Sequence, residues 1–268
     1  MQPAVFNEFR RVVYDATGIS LGPSKEALVT ARVGKRLRAL DMTSYRAYLK
    51  HLATDDSGAE MTEFVNAICT NVTSFFREED HFEFVRETVG TWRDEGQKRF
   101  RIWSAACSTG EEVYSLAMTL SGVLSDADGH DLKILGTDLS TRALKVAAEG
   151  RYSAKRVESV HPALVQRHFE RSGRGNDATY STRPELRSVT VFRRANLSRT
   201  PLPLKGPLDI VLCRNVMIYF DKPVRAALVA EMARLLRPGG YLIVGHSESL
   251  SELKGQLVPV KASIYRKP

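Results

Sequence analysis

Helical spacing of apolar residues dominates the first third of the chain. Apolar side chains recur every three or four positions through the segments that begin at Phe6 and at Leu28, which is the periodicity of an amphipathic helix. Ser44 is placed to cap a third helix, and further helical patterns continue as far as Arg93. No segment in this region has the pattern of a strand. We therefore predict a helical amino-terminal domain, placed at residues 1–78.

Beyond this region the pattern changes to short apolar runs separated by helical stretches. Five runs have the length and composition of buried strands, at 100–103, 132–137, 189–192, 208–212 and 241–244. Continuous apolar strands that alternate with helices are typical of a mostly parallel sheet covered by helices. We therefore predict an α/β domain over residues 79–268, with a short strand pair at 257–266 as an edge.

A polar segment interrupts this α/β pattern. The residues between Ser172 and Arg187 are rich in glycine, asparagine and threonine, and their polarity alternates as in an exposed hairpin. Gly173 and Gly175 allow a tight turn there. We predict a small antiparallel β insertion at about 172–190.

Composition excludes several classes of protein. The chain has 268 residues, of which 43% are hydrophobic and 26% are charged, so intrinsic disorder is excluded. No apolar run approaches the roughly 18 residues that a membrane span needs. The cysteines at 69, 107 and 213 form no CxxC pair, which is typical of reduced thiols in a cytoplasmic protein. The histidines have no metal-ligand spacing, and we predict no metal site.

Charge changes the picture further, because the net charge of +8 favours an acidic partner. The excess is concentrated at 25–50, where seven basic residues face two acidic ones, and at 151–199, where eleven face four. Arg32, Lys35 and Arg36 share one face of their predicted helix, and Arg38 lies beside them. This helix is a candidate docking surface, although charged faces are commonly just solvated.

Polar residues follow four of the predicted strands. The small residues of 104–110 lead into a helix that begins with Glu111 and Glu112, so a ligand could lie on the backbone with a cationic amine near the acids. The alternative is that the two acids only complement the helix dipole. Asp138 could accept hydrogen bonds from a ribose or could cap the next helix. Asn196 and the 213–220 segment follow two further strands and could also contribute to a ligand site. The alternatives are that Asn196 and Asn215 only form turns and that Tyr219 packs in the core.

Four long motifs then carry a resemblance to a known family. The strings TNVTSFFRE, WSAACSTGEEVYS, CRNVMIYFDK and GHSES occur in that order, and the chain resembles the chemotaxis receptor methyltransferases of the CheR type over essentially its whole length. The resemblance implies a Rossmann-like class I methyltransferase sheet with a helical amino-terminal domain and a small antiparallel β insertion. It also implies S-adenosyl-L-methionine as cofactor, S-adenosyl-L-homocysteine as product, and methyl ester formation on glutamates of chemoreceptor cytoplasmic helices.

The same resemblance implies roles for individual residues. Arg77 and Tyr219 are expected to be catalytic, and Glu112 (with Glu111 as the alternative) to bind the methionine amino group. Asp138 is expected to hold the ribose. The remaining cofactor-binding residues are expected to be Asn71, Thr73, Arg77, Asn196, Leu197, Arg214 and Asn215. The receptor would dock on Arg32, Lys35, Arg36 and Arg38, and a receptor tail peptide could pair with the β insertion.

Two other functions stay open at this point. A nucleic-acid methyltransferase on the same fold would suit the positive charge, but the chain lacks an Asn-Pro-Pro-aromatic motif and aromatics interleaved with its basic runs. The second is a non-catalytic adaptor that senses a ligand. We expect no nucleic-acid partner, and contact with a membrane only through the receptor.

Overall fold

Four amphipathic helices form the amino-terminal part of the computed structural model, which describes residues 1–125, 128–250 and 255–268. They are α1 (Pro3–Thr17), α2 (Glu26–Ala39), α3 (Tyr45–Thr54) and α4 (Ala59–Ile68). Their apolar faces enclose one core, in which the ring of Phe9 lies 6.2 Å from Tyr48 and 6.0 Å from Phe64. Ser44 caps α3 by accepting a hydrogen bond from the Ala47 amide. The predicted helical domain is confirmed.

Alternating helices and strands make up the rest of the described chain. The helices are α5 (Glu79–Asp94), α6 (Glu111–Ser121), α7 (Thr141–Glu149), α8 (Ala154–Val157), α9 (Pro162–His168), α10 (Pro184–Ser188) and α11 (Lys222–Leu235). The strands are β1 (Arg99–Ala105), β2 (Asp131–Asp138), β3 (Arg151–Ser153), β4 (Phe169–Ser172), β5 (Thr179–Thr182), β6 (Thr190–Arg194), β7 (Leu208–Cys213), β8 (Leu236–Val244), β9 (Val258–Lys261) and β10 (Ile264–Arg266).

Seven of these strands form one sheet in the order β6-β2-β1-β7-β8-β10-β9. β1 pairs in parallel with β2 on one side and with β7 on the other, and β10 pairs antiparallel with both β8 and β9. After β1 the chain therefore adds β2 and β6 on one side of that strand, and later adds β7 on its other side. Such a reversal opens a crevice at the carboxyl ends of the strands, where open α/β sheets bind ligands.

The β insertion differs from the prediction in extent. It is a three-stranded antiparallel sheet in the order β3-β5-β4, so it begins at Arg151 rather than near residue 172 and its last strand ends at Thr182 rather than near residue 190, since Pro184–Ser188 is the helix α10. The predicted hairpin is its β4–β5 part. β3 was missed because it is three residues long, with only Tyr152 buried. The Tyr152 hydroxyl donates to the Thr109 carbonyl at 2.8 Å, which fixes the insertion against the loop after β1.

No helix among the residues described is both long and apolar enough to cross a membrane.

Candidate active site

A cavity of about 550 Å³ lies at the carboxyl ends of β1, β2 and β7. This is within the usual range for small-molecule sites, about 300–1,000 Å³. All the residues predicted to bind the cofactor or to act in catalysis line it: Asn71, Thr73, Arg77, Glu112, Asp138, Asn196, Leu197, Arg214, Asn215 and Tyr219. The sequence therefore identified a set of residues that the fold brings together from five separate segments.

The loop after β1 forms the floor of this cavity in a strained conformation. Ala106 and Ser108 have left-handed backbones with φ of 64° and 52°, which are uncommon for residues other than glycine. Gly110, with φ of 93°, precedes α6, and a Cβ there would lie 2.8 Å from Ala147 Cβ. The Ser108 hydroxyl is buried without a hydrogen-bond partner among the described residues. Strain and unsatisfied polar groups of this kind are commonly found where a ligand binds.

Asp138 connects the ends of β1 and β2. Its Oδ2 accepts from the Ser108 amide and its Oδ1 from the Ser140 amide, both at 2.8 Å. Burial raises the pKa of Asp138, although its backbone hydrogen bonds act in the opposite direction. Ser140, not Asp138, caps α7. Each carboxylate oxygen can accept a further hydrogen bond, so Asp138 retains capacity for a ligand hydroxyl.

Glu111 and Glu112 point to different places. Glu112 lines the cavity, where it accepts from the Ser104 hydroxyl at 2.7 Å and from Arg214 Nη1 at 3.0 Å. Glu111 is almost fully buried and pairs with Arg156 of the insertion at 2.5 Å. Only Glu112 of the two is therefore available to a ligand in this cavity.

Arg214 is the centre of a buried charge network. Its guanidinium pairs with Glu112 and with Glu78, each at 3.0 Å, and also donates to the Arg77 carbonyl. Burial alone would raise the pKa of Glu78, but the Arg214 charge and hydrogen bonds from Asn215 and Arg214 hold it below its ordinary value. Glu78 is therefore ionised, and Arg214 orients Glu112 together with the segment that carries Arg77.

Glu248 is a site residue to which the sequence analysis assigned no role. Its buried carboxylate accepts three backbone amides, from Asn215 at 2.7 Å, Met217 at 2.8 Å and Gly245 at 2.8 Å. Asn215 has a left-handed backbone with φ of 58°. Glu248 thus fixes the sharp turn that leads to Tyr219. Its motif, GHSES, was noted, but only the fold shows which backbone it supports.

The segment between α4 and α5 forms another wall and is held by Arg32. The Arg32 guanidinium donates to the carbonyls of Ile68 and Cys69, the latter at 2.9 Å, and to Thr70 Oγ1 at 3.0 Å. The carbonyls at the end of a helix otherwise lack partners, so this contact caps α4. It also fixes the start of the segment that presents Asn71 and Thr73. The prediction of Arg32 as a docking residue is corrected here, because its guanidinium is engaged inside the molecule.

The same correction applies to Arg36. Its guanidinium makes a bidentate pair with the buried carboxylate of Glu60, at 2.9 and 2.6 Å, and Tyr48 donates to that carboxylate at 2.6 Å. Arg36 therefore anchors α2 to α4. Lys35 and Arg38 are exposed, and the docking prediction now depends on these two residues.

The amino-terminal domain completes the cavity. The Ser20 amide donates to the Tyr219 carbonyl at 2.8 Å, and Asn196 Nδ2 donates to the Ala16 carbonyl at 2.9 Å. Residues between Thr17 and Leu28 contribute to the lining. Both domains therefore shape one binding site.

One described cluster has distances that would suit a metal ion. Ligand-type atoms of Glu78, His81 and His246 lie within 4.8 Å of one another. Glu78 is already occupied by hydrogen bonds from Arg214 and Asn215, and a dication there would lie beside a buried guanidinium. We interpret the cluster as part of the charge network, and the expectation of no metal site stays a prediction.

Comparison with known proteins agrees with this geometry. The family description "CheR methyltransferase, SAM binding domain" matches residues 71–266, and "CheR methyltransferase, all-alpha domain" matches residues 4–69. The chain is 40% identical to chemotaxis protein methyltransferase 2 of Pseudomonas aeruginosa, over 97% of this chain and 91% of that protein. It is 37% identical to the chemotaxis protein methyltransferase of Salmonella typhimurium, over 94% and 86%. For the Escherichia coli protein of that name the identity is 35%, over 99% and 91%.

Among solved structures, magnesium protoporphyrin IX methyltransferase from Synechocystis with bound S-adenosylmethionine gives a TM-score of 0.31. It is 20% identical, over 61% of this chain and 57% of that one, and this likeness is too low to bear on the argument. The two family matches together cover nearly the whole described chain. The protein therefore belongs to the CheR methyltransferase family, and its carboxy-terminal domain is an S-adenosylmethionine-binding methyltransferase domain.

Proposed function

We propose that this protein transfers the methyl group of S-adenosylmethionine to glutamate side chains on the cytoplasmic helices of chemoreceptors. The relatives bear the name of chemotaxis protein methyltransferases, which supports the setting. The observation that carries the choice of a carboxylate acceptor is Arg77. Arg77 is exposed, lines the same cavity as Tyr219 and has no acidic partner among the residues described.

The cavity wall fits the cofactor. Glu112 would bind the methionine amino group, since a carboxylate oriented by Arg214 suits an ammonium. Asp138 would accept hydrogen bonds from the ribose, and Asn196 and Leu197 would flank the adenine. Asn71, Thr73 and Arg77 would line the cofactor site and its approach. Asn215 would contact the methionine end together with Arg214, whose charge Glu78 and Glu112 balance.

A bound S-adenosylmethionine would supply a methyl group on a positively charged sulfur. A glutamate has a reference pKa near 4.3, so the acceptor is already an anion at neutral pH and no general base is needed. The chemistry that the cofactor would supply is displacement at the methyl carbon, in which a new bond to a carboxylate oxygen would replace the carbon–sulfur bond and both charges would be lost. The protein then contributes mainly alignment, which in well-oriented systems is worth about 7–11 kcal/mol.

Arg77 and Tyr219 would align the acceptor. Arg77 would hold one carboxylate oxygen and leave the other free to attack. Tyr219 is half-buried at the cavity, and its backbone is fixed by Ser20 on one side and by the turn that Glu248 supports on the other. A fixed backbone at this position supports the proposal that the Tyr219 ring would lie close to the transferring methyl group.

Two surfaces would bring the receptor to this cavity. Lys35 and Arg38 on α2 would attract an acidic receptor surface. β3 and β4 are the outer strands of the insertion, so a receptor tail peptide could add a strand at one of these edges. Arg174, Arg183 and Arg187 would pair with acidic residues of that tail, and such a tether would raise the local concentration of receptor.

Methyl transfer can be tested directly. The protein is incubated with radiolabelled S-adenosylmethionine and either receptor-bearing membranes or RNA. We expect base-labile label on the receptor and none on the RNA, since carboxyl methyl esters hydrolyse in base. Label on the RNA would favour a nucleic-acid methyltransferase. Cofactor binding without label on either would favour a non-catalytic adaptor.

A further inference from the structure

Two exposed apolar side chains stand at the mouth of the cavity. The exposed fraction of Val72 is 77% and that of Ile218 is 54%, and both line the cavity wall. They come from distant segments of the chain, yet each directly precedes a predicted site residue, Thr73 and Tyr219. Single exposed apolar residues are normal on a protein surface. Two that flank the reacting groups from separate segments call for an explanation.

The two side chains are carried by different kinds of backbone, a constrained helical turn for Ile218 and an irregular segment for Val72. Ile218 belongs to the 3-10 helix Met217–Tyr219, whose first amide is held by Glu248 at 2.8 Å and whose last carbonyl accepts from Ser20 at 2.8 Å. The Val72 carbonyl accepts from Arg77 Nη1 at 3.4 Å. The fold thus presents Ile218 to solvent in a fixed place and Val72 from the segment between α4 and α5, although neither contributes to a core cluster of the described residues.

The charge around them indicates what would cover them. Arg77 lies within the same segment as Val72, and Lys25 is an exposed cation on the cavity wall. The acids on that wall, Glu112 and Asp138, already accept hydrogen bonds within the protein, and the capacity that remains to them is assigned here to the cofactor. The mouth therefore combines free positive charge with bare apolar surface, which suits a segment that carries a carboxylate beside an apolar side chain.

We propose that Val72 and Ile218, here called the apolar rim, contact the acceptor segment and determine which glutamates are methylated. The proposal rests on the proposed function. The preferred acceptor is a glutamate with an apolar side chain on the same face of its helix, three or four residues away. Burying that side chain against the rim releases water from both surfaces, while Arg77 takes the carboxylate.

Threonine substitutions test the apolar rim. Val72→Thr keeps the shape of the side chain, and Ile218→Thr also keeps the branched Cβ. Each is expected to raise the KM for receptor about three- to tenfold, from the lost apolar burial, with little change in kcat. The affinity for S-adenosylmethionine, measured by calorimetry, stays at the wild-type value. The matched control is Val258→Thr, a valine that is 52% exposed on β9 and outside the cavity wall.

A change on the receptor side completes the test. Replacing the apolar neighbour of a methylated glutamate by serine should slow its methylation by the wild-type enzyme, but cause little further loss with Val72→Thr or Ile218→Thr. A wild-type KM in both threonine variants would overturn the proposal for the apolar rim and leave the proposed function standing. So would rate losses from the rim change and the receptor change that simply multiply when the two are combined. Absence of receptor methylation by the wild-type enzyme would overturn the proposed function, and the rim with it.

Discussion

At the scale of single residues, Arg77 differs from Arg32 and Arg214, the other arginines of the cavity, because it is exposed, and it pairs with no acid in the described part of the chain. We expect Arg77→Ala to lower kcat/KM for receptor methylation about 100-fold, as for loss of one charge-stabilising donor. The affinity for S-adenosylmethionine should change little in calorimetry. Arg77→Lys should recover part of the rate. Equal losses in transfer and in cofactor binding would instead make Arg77 a cofactor residue.

The adjacent pair Glu111 and Glu112 offers a matched comparison, since each carries a carboxylate bonded to an arginine. Glu112→Gln should weaken S-adenosylmethionine binding about tenfold or more, because a charge-assisted hydrogen bond is worth about 1.5–3 kcal/mol. Glu111→Gln should lower the free energy of unfolding, through its pair with Arg156, and leave cofactor affinity near wild type. Calorimetry and denaturant titration of both variants measure these effects, and the reversed pattern would contradict the assignment.

His81 makes the stability of the protein sensitive to acid. It is fully buried, neither ring nitrogen has a hydrogen-bond partner among the described residues, and Glu78, Asp80, Arg214 and His246 surround it. Burial, and next the Arg214 charge, lower its pKa from 6.5 to about 4. Between these values the unfolded chain binds a proton that the folded chain does not, so stability falls as the pH falls through this window.

We therefore expect the wild-type protein to lose about 2 kcal/mol more unfolding free energy than His81→Phe between about pH 7.5 and about pH 5. Denaturant unfolding at the two pH values measures the difference. His51→Ala, which changes an exposed histidine, is the control and should behave like the wild type. Equal acid losses in the wild type and in His81→Phe would show that His81 is not responsible.

At the scale of elements, α2 has two tasks on two faces. Arg32 caps α4 and fixes the start of the cofactor segment, whereas Lys35 and Arg38 face solvent. Arg32→Ala should raise the Kd for S-adenosylmethionine several-fold, since the lost charged hydrogen bond, worth about 1.5–3 kcal/mol, holds the cavity wall and only part of that free energy is lost from ligand binding. The double change of Lys35 and Arg38 to glutamate should weaken receptor methylation at low salt and leave cofactor affinity unchanged. Measuring Kd and methylation in both variants separates the two faces, and the docking prediction would fail if the double variant kept the wild-type salt dependence.

The contacts of α2 also show what could not be predicted from the sequence. Apolar periodicity and strand runs were strong enough to predict the helical domain and the main sheet, and residues at strand ends were predicted because parallel strands deliver them to one edge. The partner of Arg36 lies 24 residues away, and that of Glu248 lies 31 to 33 residues away in a turn, so neither could be read from spacing. β3 was not predicted because three residues with one buried side chain give no periodic signal.

At the scale of the whole molecule, the cavity wall is shared between the two domains. The Ser20–Tyr219 and Asn196–Ala16 hydrogen bonds join them on either side of it. The insertion is tied to the same place through the contacts of Tyr152 and Arg156 with the loop after β1. The amino-terminal domain therefore contacts the turn at Tyr219, and the insertion contacts the loop after β1, so both support the wall of the same cavity.

The shared wall has a consequence for how the protein comes apart. A ligand that contacts both domains stabilises their association, because separating the domains also loses the binding free energy of the ligand. At a cofactor concentration about 100 times Kd, binding adds about 2.7 kcal/mol to the free energy of separating the domains. S-adenosylhomocysteine should therefore slow proteolytic cutting between α4 and α5 and merge any separate melting of the domains into one transition. Calorimetric scans and timed digestion, with and without this product, would show whether a small molecule decides that two domains behave as one.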